Sequence, residues 1–165
     1  MYLKQKDIFR AMNKSFVKKI MNVSTTESYE QGDLLFQQGD PANQFYILLK
    51  GRIKLTLGET GQSVYIVSHA GEAFGWSSLI GRETYTASAE CMTPAKLLRF
   101  DQEKVLKILE EDPANGLVFF KRLAGILGNR LLHSYKLIST ALQTEESPSF
   151  GTGQVMGTTV SELEI

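Results

Sequence analysis

The sequence predicts a mainly β domain with flanking helices, and three observations lead to that prediction. Between Ser28 and Phe100, short runs of β-branched and aromatic residues alternate with turn glycines, which is typical of an antiparallel barrel or roll. A lysine-rich stretch with apolar residues at helical spacing precedes this region, and a longer periodic stretch follows it. At 165 residues with 42% apolar composition, the chain suits one globular domain plus one appended element.

The first predicted element is an amphipathic N-terminal helix from Lys4 to Asn22. Its apolar residues recur every three or four positions and the lysines fall between them, so we expect it to pack on the domain with its lysines outward. The apolar face is formed by Ile8, Phe9, Met12, Phe16, Val17, Ile20 and Met21.

The strands come next, and glycines mark the connections between them. Tight turns favour residues that tolerate positive φ, and Pro41 after Asp40 predicts a turn before the strand Gln44 to Lys50. The turn glycines are Gly32, Gly39, Gly51, Gly58, Gly61, Gly71 and Gly81.

Two helices are predicted after the last strand. Asp101 is a candidate N-cap for a helix from Gln102 to Glu111. Asp112 followed by Pro113 repeats the pattern, because proline is favoured at the first helical position. The second helix is predicted to span 113–143.

This last helix has two apolar faces. One alternates steps of three and four residues, as a coiled-coil seam does, and predicts a long C-terminal dimerisation helix. The other face is then available to pack on the chain's own domain. The alternative to dimerisation is that the chain folds its own tail across both faces. The seam contains Leu117, Phe120, Ala124, Leu127, Leu131, Ser134, Ile138 and Ala141, and the second face contains Phe119, Leu123, Ile126, His133 and Leu137.

The chain is therefore predicted to form one domain, residues 1–143, followed by a linker or tail, residues 144–165. The tail is rich in glycine, serine and threonine and lacks apolar periodicity. It is too short to hold a helix-turn-helix, so we expect no DNA binding by this chain.

A motif lies near the middle of the chain, in FGWSSLIGRETYTASAEC from Phe74 to Cys91, and GDLLFQQGDPANQFYILLKGRIKL from Gly32 to Leu55 precedes it. Together they resemble the cyclic nucleotide-binding domain of the Crp/Fnr regulators and of kinase and channel regulatory domains. The resemblance covers about residues 8–142. It implies a β-roll, that is, a double-stranded β-helix or cupin-like jelly roll, with a phosphate-binding cassette at residues 74–91.

The cassette departs from the family pattern at both charged positions. The resemblance implies a glutamate that binds the ribose and an arginine that pairs with the cyclic phosphate, whereas this chain has Trp76 and Tyr85 there. Arg82 is a candidate replacement cation, with an exposed loop arginine as the alternative. Trp76 and Tyr85 are interpreted either as ligand-binding aromatics or as side chains that fill the vacated pocket.

Other groups in the cassette retain the capacity to bind an anion. Gly75 permits close approach of the backbone, and the residues after it offer amide and hydroxyl donors. Ser134 and Tyr135 lie at about the positions where the last helix of the family reaches the ligand. Alternatively, Ser134 is a polar residue that sets the register of the coiled-coil seam and binds no ligand. The predicted ligand-binding set is Phe74, Gly75, Trp76, Ser77, Ser78, Arg82, Tyr85, Thr86, Ser134 and Tyr135.

Composition argues against several other classes of protein. Eighteen basic and eighteen acidic residues cancel, so no net charge draws the chain to nucleic acid.

The single cysteine, Cys91, agrees with a reducing compartment, and we expect a cytoplasmic protein without membrane spans. Only His69 and His133 are present, so we expect no metal and no cofactor, with haem binding as a minor alternative. No catalytic motif is recognised, and we expect no enzyme activity.

The sequence thus predicts a homodimeric, ligand-sensing regulatory domain that does not bind cAMP or cGMP in the usual way. The effector expected from Trp76 and Tyr85 is small and anionic or aromatic. Two alternatives stay open: a structural dimerisation module with an occluded pocket, and a conventional cyclic nucleotide-binding protein that uses Arg82.

Overall fold

The structure, a computed structural model, describes residues 8–58 and 62–142. Its strands are antiparallel and form two four-stranded sheets, of order β1-β8-β3-β6 and β2-β7-β4-β5. The predicted class, mainly β with flanking helices, is confirmed. The elements are α1 Lys14–Asn22, β1 Ser24–Tyr29, β2 Leu34–Phe36, β3 Gln44–Lys50, β4 Ile53–Leu57, β5 Gln62–Val67, β6 Ala73–Phe74, a 3₁₀ turn Trp76–Leu79, β7 Ser88–Cys91, β8 Ala95–Asp101, α2 Gln102–Glu111 and α3 Pro113–Leu142.

The first helix is shorter than its apolar periodicity predicts. Residues 8–12 form a turn, and Ala11 has a φ of 67°, which interrupts helical geometry. Asn13 then caps α1 by accepting a hydrogen bond from the Ser15 amide at 2.9 Å. Ile8 and Phe9 are nevertheless buried. Because apolar residues are buried both before the turn and in α1, the helical spacing of apolar residues in the sequence extends beyond the helix itself.

Strand β1 begins at Ser24, four residues before the predicted start of the strand region. It pairs with β8 from Ser24 opposite Phe100 to Tyr29 opposite Ala95. Its sequence, STTESY, contains few apolar residues, so hydrophobic alternation did not reveal it.

Two apolar clusters hold the domain together, one on each face of β3. Successive strand residues point to opposite faces, so Tyr46 and Leu48 enter the interior of the roll while Phe45 faces the helices. Phe45 packs against Phe100, with ring centroids 5.6 Å apart, and against Phe119 of α3, with centroids 6.3 Å apart. This outer cluster holds the helices against the roll.

Helix α2 follows its predicted boundaries, and α3 begins at the predicted residue, Pro113. Asp101 caps α2 by accepting from the Lys104 amide at 3.2 Å, and Asp112 accepts from the Asn115 amide at 3.2 Å at the start of α3. The Asn115 side chain also accepts from the Asn13 amide at 3.1 Å, which joins the starts of α1 and α3. The predicted last residue, Gln143, and the tail 144–165 lie outside the described residues.

The chain divides into two compact units, one ending at Gly125 and the other beginning at Ile126. In the first unit Phe119 and Leu123 of α3 are buried, whereas Leu117, Phe120 and Ala124 are exposed. Among residues 8–58 and 62–142, no helix combines the length and apolarity needed to cross a membrane.

Candidate functional site

The cassette turn begins where β6 ends. Gly75 has a φ of 71°, and a Cβ there would lie 3.1 Å from both the Gln44 carbonyl oxygen and the Tyr46 ring. Ser78 then closes the turn, with its hydroxyl donating to the Gly75 carbonyl at 2.9 Å. The turn therefore requires glycine at 75 for conformation and for space.

The two serines and the tryptophan of this turn differ in exposure. Ser77 and Ser78 are buried, and the Ser77 carbonyl accepts from the Arg82 amide at 3.3 Å. Trp76 is half-buried. Part of Trp76 is therefore accessible to solvent, unlike a core tryptophan.

Tyr85, at the arginine position of the cassette, is part of the core. It is 4% exposed, and its ring stacks on Phe36 with centroids 3.8 Å apart and an interplanar angle of 16°. Its hydroxyl donates to the Gln44 carbonyl at 2.7 Å and accepts from the Gln44 amide at 3.0 Å. Burial raises the pKa of the phenol above its ordinary value.

These two hydrogen bonds complete the edge of β3. Strand β6 pairs with Tyr46 and Ile47, but the chain turns away at Gly75 before it reaches Gln44. The amide and carbonyl of one residue in an antiparallel strand face the same neighbour. The Tyr85 hydroxyl, both a donor and an acceptor, takes the place of the missing strand residue.

The backbone of the cassette arm fixes the position of Tyr85. The Gly39 amide donates to the Tyr85 carbonyl and the Tyr85 amide donates to the Asp40 carbonyl, each at 2.9 Å. A bridge between Pro41 and Thr84 extends this pairing. The phenol is therefore held in place by main-chain pairing as well as by its own ring contacts.

The remaining predicted site residues lie in different surroundings. Thr86 is half-buried beside Tyr85, and Phe74 is fully buried in the interior cluster. Arg82 is exposed. Ser134 and Tyr135 lie on α3 in the second unit with exposed side chains, and the Ser134 hydroxyl donates to the Arg130 carbonyl of its own helix at 3.1 Å.

A polar network that the sequence did not predict lies near Tyr85, on the interior face of the sheet. The Arg99 Nε donates to Glu27 Oε1 at 2.7 Å, and Arg99 Nη1 donates to Gln44 Oε1 at 3.2 Å. Tyr29 donates its hydroxyl to the other Glu27 oxygen. The alternation of Arg99 with Leu97 and Ala95 on β8 was the available indication that this arginine points inward.

Tyr46 belongs to the same network by position. It lies directly opposite Arg99 in the register of β3 and β8, and its ring stacks on Phe74 with centroids 5.2 Å apart. Burial raises its pKa to about 12, while the Arg99 charge acts in the opposite direction.

Among the described residues, no three His, Cys, Asp or Glu side chains converge as a metal site would require.

The family model for the cyclic nucleotide-binding domain matches residues 26–112, which include both sheets and the cassette. The chain belongs to the cyclic nucleotide-binding domain family. The predicted resemblance is confirmed, and the family is one of regulatory domains. The loss of the usual charged contacts and the absence of DNA binding stay predictions.

Curated relatives of this cyclic nucleotide-binding domain include cGMP-dependent protein kinases and global nitrogen regulators. The cGMP-dependent protein kinase egl-4 of Caenorhabditis elegans is 27% identical over 112 residues, which is 66% of this chain and 14% of that protein. The global nitrogen regulator of Nostoc is 30% identical over 118 residues, 69% of this chain and 51% of that protein. The chain thus spans about half or less of the length of these relatives.

Solved structures give the same fold. A putative cyclic nucleotide-binding protein from Geobacter metallireducens superposes with a TM-score of 0.68 at 27% identity, covering 75% of this chain and 91% of that one. A cyclic nucleotide-binding domain from Methylobacillus flagellatus superposes with a TM-score of 0.73 at 21% identity, covering 83% of this chain and 78% of that one. The predicted β-roll is confirmed.

Proposed function

We propose that this chain is a non-enzymatic, cytoplasmic regulatory domain that responds to a small effector other than cAMP or cGMP and pairs with a second copy through α3. The observation that supports it best is the position of Tyr85. The phenol is buried and closes the edge of β3, where the family pattern has the arginine that pairs with phosphate.

The chemistry of the two aromatics argues against tight cyclic nucleotide binding. Indole is a donor only and does not replace a ribose-binding carboxylate, and a neutral phenol supplies no cation for the phosphate. A hydrogen bond to a charged group contributes about 1.5 to 3 kcal/mol. Losing two such contacts weakens binding by roughly two to four powers of ten.

A structural dimerisation module is the second candidate, and a specific observation favours it. Tyr85 packs within the aromatic cluster of Phe36, Tyr46 and Phe74, so it fills space where the family pattern has its phosphate-binding arginine. The half-buried Trp76 favours the effector-responsive function, because part of this residue is accessible to solvent and so to a ligand.

The exposed apolar face of α3 supports self-association. Leu131 and Ile138 are 50% and 52% exposed, and Leu117 and Phe120 are also exposed in the single chain. Monomeric proteins rarely leave a continuous apolar stripe in water. The predicted interface is Leu117, Phe120, Ala124, Leu127, Leu131 and Ile138.

Calorimetric titration of the full chain with cAMP and with cGMP tests the ligand part of the proposal. We expect no heat of saturable binding in the micromolar range. A micromolar or tighter dissociation constant for either nucleotide would refute it. Arg82→Ala would then show whether Arg82 supplies the cation, as the third interpretation of the sequence requires.

Sedimentation of Leu127→Asp/Leu131→Asp tests self-association. We expect a wild-type dimer at tens of micromolar and a monomer or aggregate for this variant, because burying unpaired carboxylates costs several kcal/mol. Asn129→Asp/Thr140→Asp adds the same charge at exposed positions outside the seam and is expected to remain dimeric. A monomeric wild type would contradict the proposal.

A further inference from the structure

One stripe of α3 is buried in the first unit of the chain and exposed in the second. Its residues recur at steps of three and four, so they lie on one side of the helix. Phe119 and Leu123 are 0% and 2% exposed, whereas Leu137 is 59% exposed. The part of the stripe beyond Gly125, called the distal stripe here, contains Ile126, Arg130, His133 and Leu137.

A second copy bound at the seam would leave the distal stripe largely uncovered. Each stripe residue directly precedes a seam residue, as Leu137 precedes Ile138. Successive residues are rotated by about 100° around a helix, so the stripe lies beside the seam. A two-helix seam covers chiefly its own apolar positions, and the distal stripe therefore needs a partner of its own.

The charges of α3 have one sign. Its 30 residues include four basic side chains, Lys121, Arg122, Arg130 and Lys136, and no acidic one. Exposed helices usually carry both signs, because pairs of opposite charge one turn apart stabilise them. Lys136 is exposed and borders the distal stripe on the side away from the seam, since it directly precedes Leu137. A partner that combines acidic with apolar side chains therefore fits this surface.

The residues that follow α3 have the complementary composition. Residues 144–165 include four glutamates and no basic residue. Within them, the sequence SELEI from Ser161 to Ile165 alternates two glutamates with a leucine and an isoleucine. One short segment thus supplies both kinds of side chain that the distal stripe requires.

This segment can reach the distal stripe of its own chain. Residues 144–165, when extended, span up to about 70 Å. The part of α3 from Ile126 to Leu142 is only about 25 Å long. A tethered segment also meets its site at an effective concentration on the order of millimolar, which favours it over an untethered acidic peptide.

We propose that residues 161–165 fold back and bind the distal stripe of the same chain. Their glutamates pair with Arg130 and Lys136, and their leucine and isoleucine pack on Leu137. The seam stays open to a second copy, whereas a tail folded across both faces of α3 would exclude one. The contact therefore adds to the proposed function and does not depend on it.

Nuclear relaxation of the ¹⁵N-labelled full-length chain measures whether the segment is bound. We expect order parameters above about 0.6 for the Leu163 and Glu164 amides at low salt, as in folded backbone. High salt is expected to lower these values, because it screens the ion pairs.

Charge variants separate this contact from a general effect on folding. Arg130→Glu/Lys136→Glu is expected to release the segment, with order parameters below about 0.6. Adding Glu162→Lys/Glu164→Lys to that variant reverses both sides of the contact and is expected to restore the order. Lys104→Glu/Lys107→Glu makes the same charge change at exposed positions of α2 and is expected to leave the segment bound.

A spin label distinguishes binding to the same chain from binding to a second copy. The label is attached at Thr159→Cys in a Cys91→Ala background, and the ¹⁵N-labelled product is mixed with a large excess of unlabelled wild type. We expect the Leu137 amide signal of the spin-labelled chain to stay broadened. If the excess wild type removed the broadening, the segment would bind the partner's helix and the inference would be wrong.

Three other results would also overturn the inference. They are low order parameters in the wild type at low salt, order that Arg130→Glu/Lys136→Glu leaves unchanged, and a reversal of both sides that does not restore order. None of them bears on the cyclic nucleotide titrations or on sedimentation of the seam variants, which test the proposed function separately.

Discussion

Removing one hydroxyl, in Tyr85→Phe, tests whether the phenol replaces a strand residue. The ring and its stack on Phe36 would remain, while both hydrogen bonds to the Gln44 backbone would be lost. The Gln44 amide and carbonyl would then lack a protein partner at the part-buried edge of β3.

The expected cost follows from those two groups. Each buried polar group left unpaired costs about 1 to 3 kcal/mol, and the site is only part-buried, so the lower end applies to each. We expect a loss of about 2 kcal/mol in the free energy of unfolding. For a chain of this size that lowers Tm by about 6 °C.

Chemical denaturation followed by circular dichroism measures the change, with two reference variants beside it. Tyr135→Phe removes an exposed hydroxyl on α3 and is expected to change stability by less than about 0.5 kcal/mol. Tyr85→Ala also removes the ring and is expected to cost about 4 to 5 kcal/mol. If Tyr85→Phe were as stable as wild type, the reasoning that the hydroxyl completes β3 would be refuted.

Three further outcomes are expected. Burial raises the pKa of the Cys91 thiol to about 11 and raises the pKa values of Tyr29, Tyr46 and Tyr85 above 10 in the folded state. The folded chain therefore holds these protons to higher pH than the unfolded chain, so the stability they contribute is fully present below about pH 9 and is lost as the pH rises. An alkaline unfolding profile without this decline would contradict the expectation. Gly51→Ala is expected to destabilise the fold more than Gly39→Ala. Both glycines have a positive φ, but only at position 51 would the new Cβ clash, 2.6 Å from the Pro94 carbonyl oxygen. Equal unfolding midpoints for the two variants would exclude a steric effect at Gly51. Fluorescence of Trp76, the only tryptophan, is expected to be quenched by benzoate, and indifference to every aromatic acid tried would favour the dimerisation module.

The sequence predicted the class of the fold, the boundaries of α2 and the start of α3, because these depend on local features. Asp101 and Asp112 cap their helices with their own side chains, and Pro113 fits only the first turn. The start of α1 was misplaced, since Asn13 was not recognised as its cap. Apolar periodicity does not distinguish a buried turn from a buried helix.

The candidate site was predicted only in part, for a physical reason. The sequence identified Trp76 and Tyr85 as departures from the family pattern, but whether a large aromatic lines a pocket or fills it depends on its neighbours. The partial exposure of Trp76 and the two hydrogen bonds of the Tyr85 hydroxyl depend on tertiary structure, so local sequence patterns do not reveal them. Arg99 and Glu27 are 72 residues apart, and only strand register brings them together.

The two hydrogen bonds between the Tyr85 hydroxyl and the Gln44 backbone oppose the introduction of the family's arginine at position 85. A guanidinium carries donors only, so Tyr85→Arg would satisfy the Gln44 carbonyl but leave the Gln44 amide without an acceptor. The Tyr85→Arg variant is therefore expected to be less stable than the wild type unless another residue supplies that acceptor. Introducing the family's ligand chemistry by engineering therefore requires repair of the β3 edge before any charge is introduced.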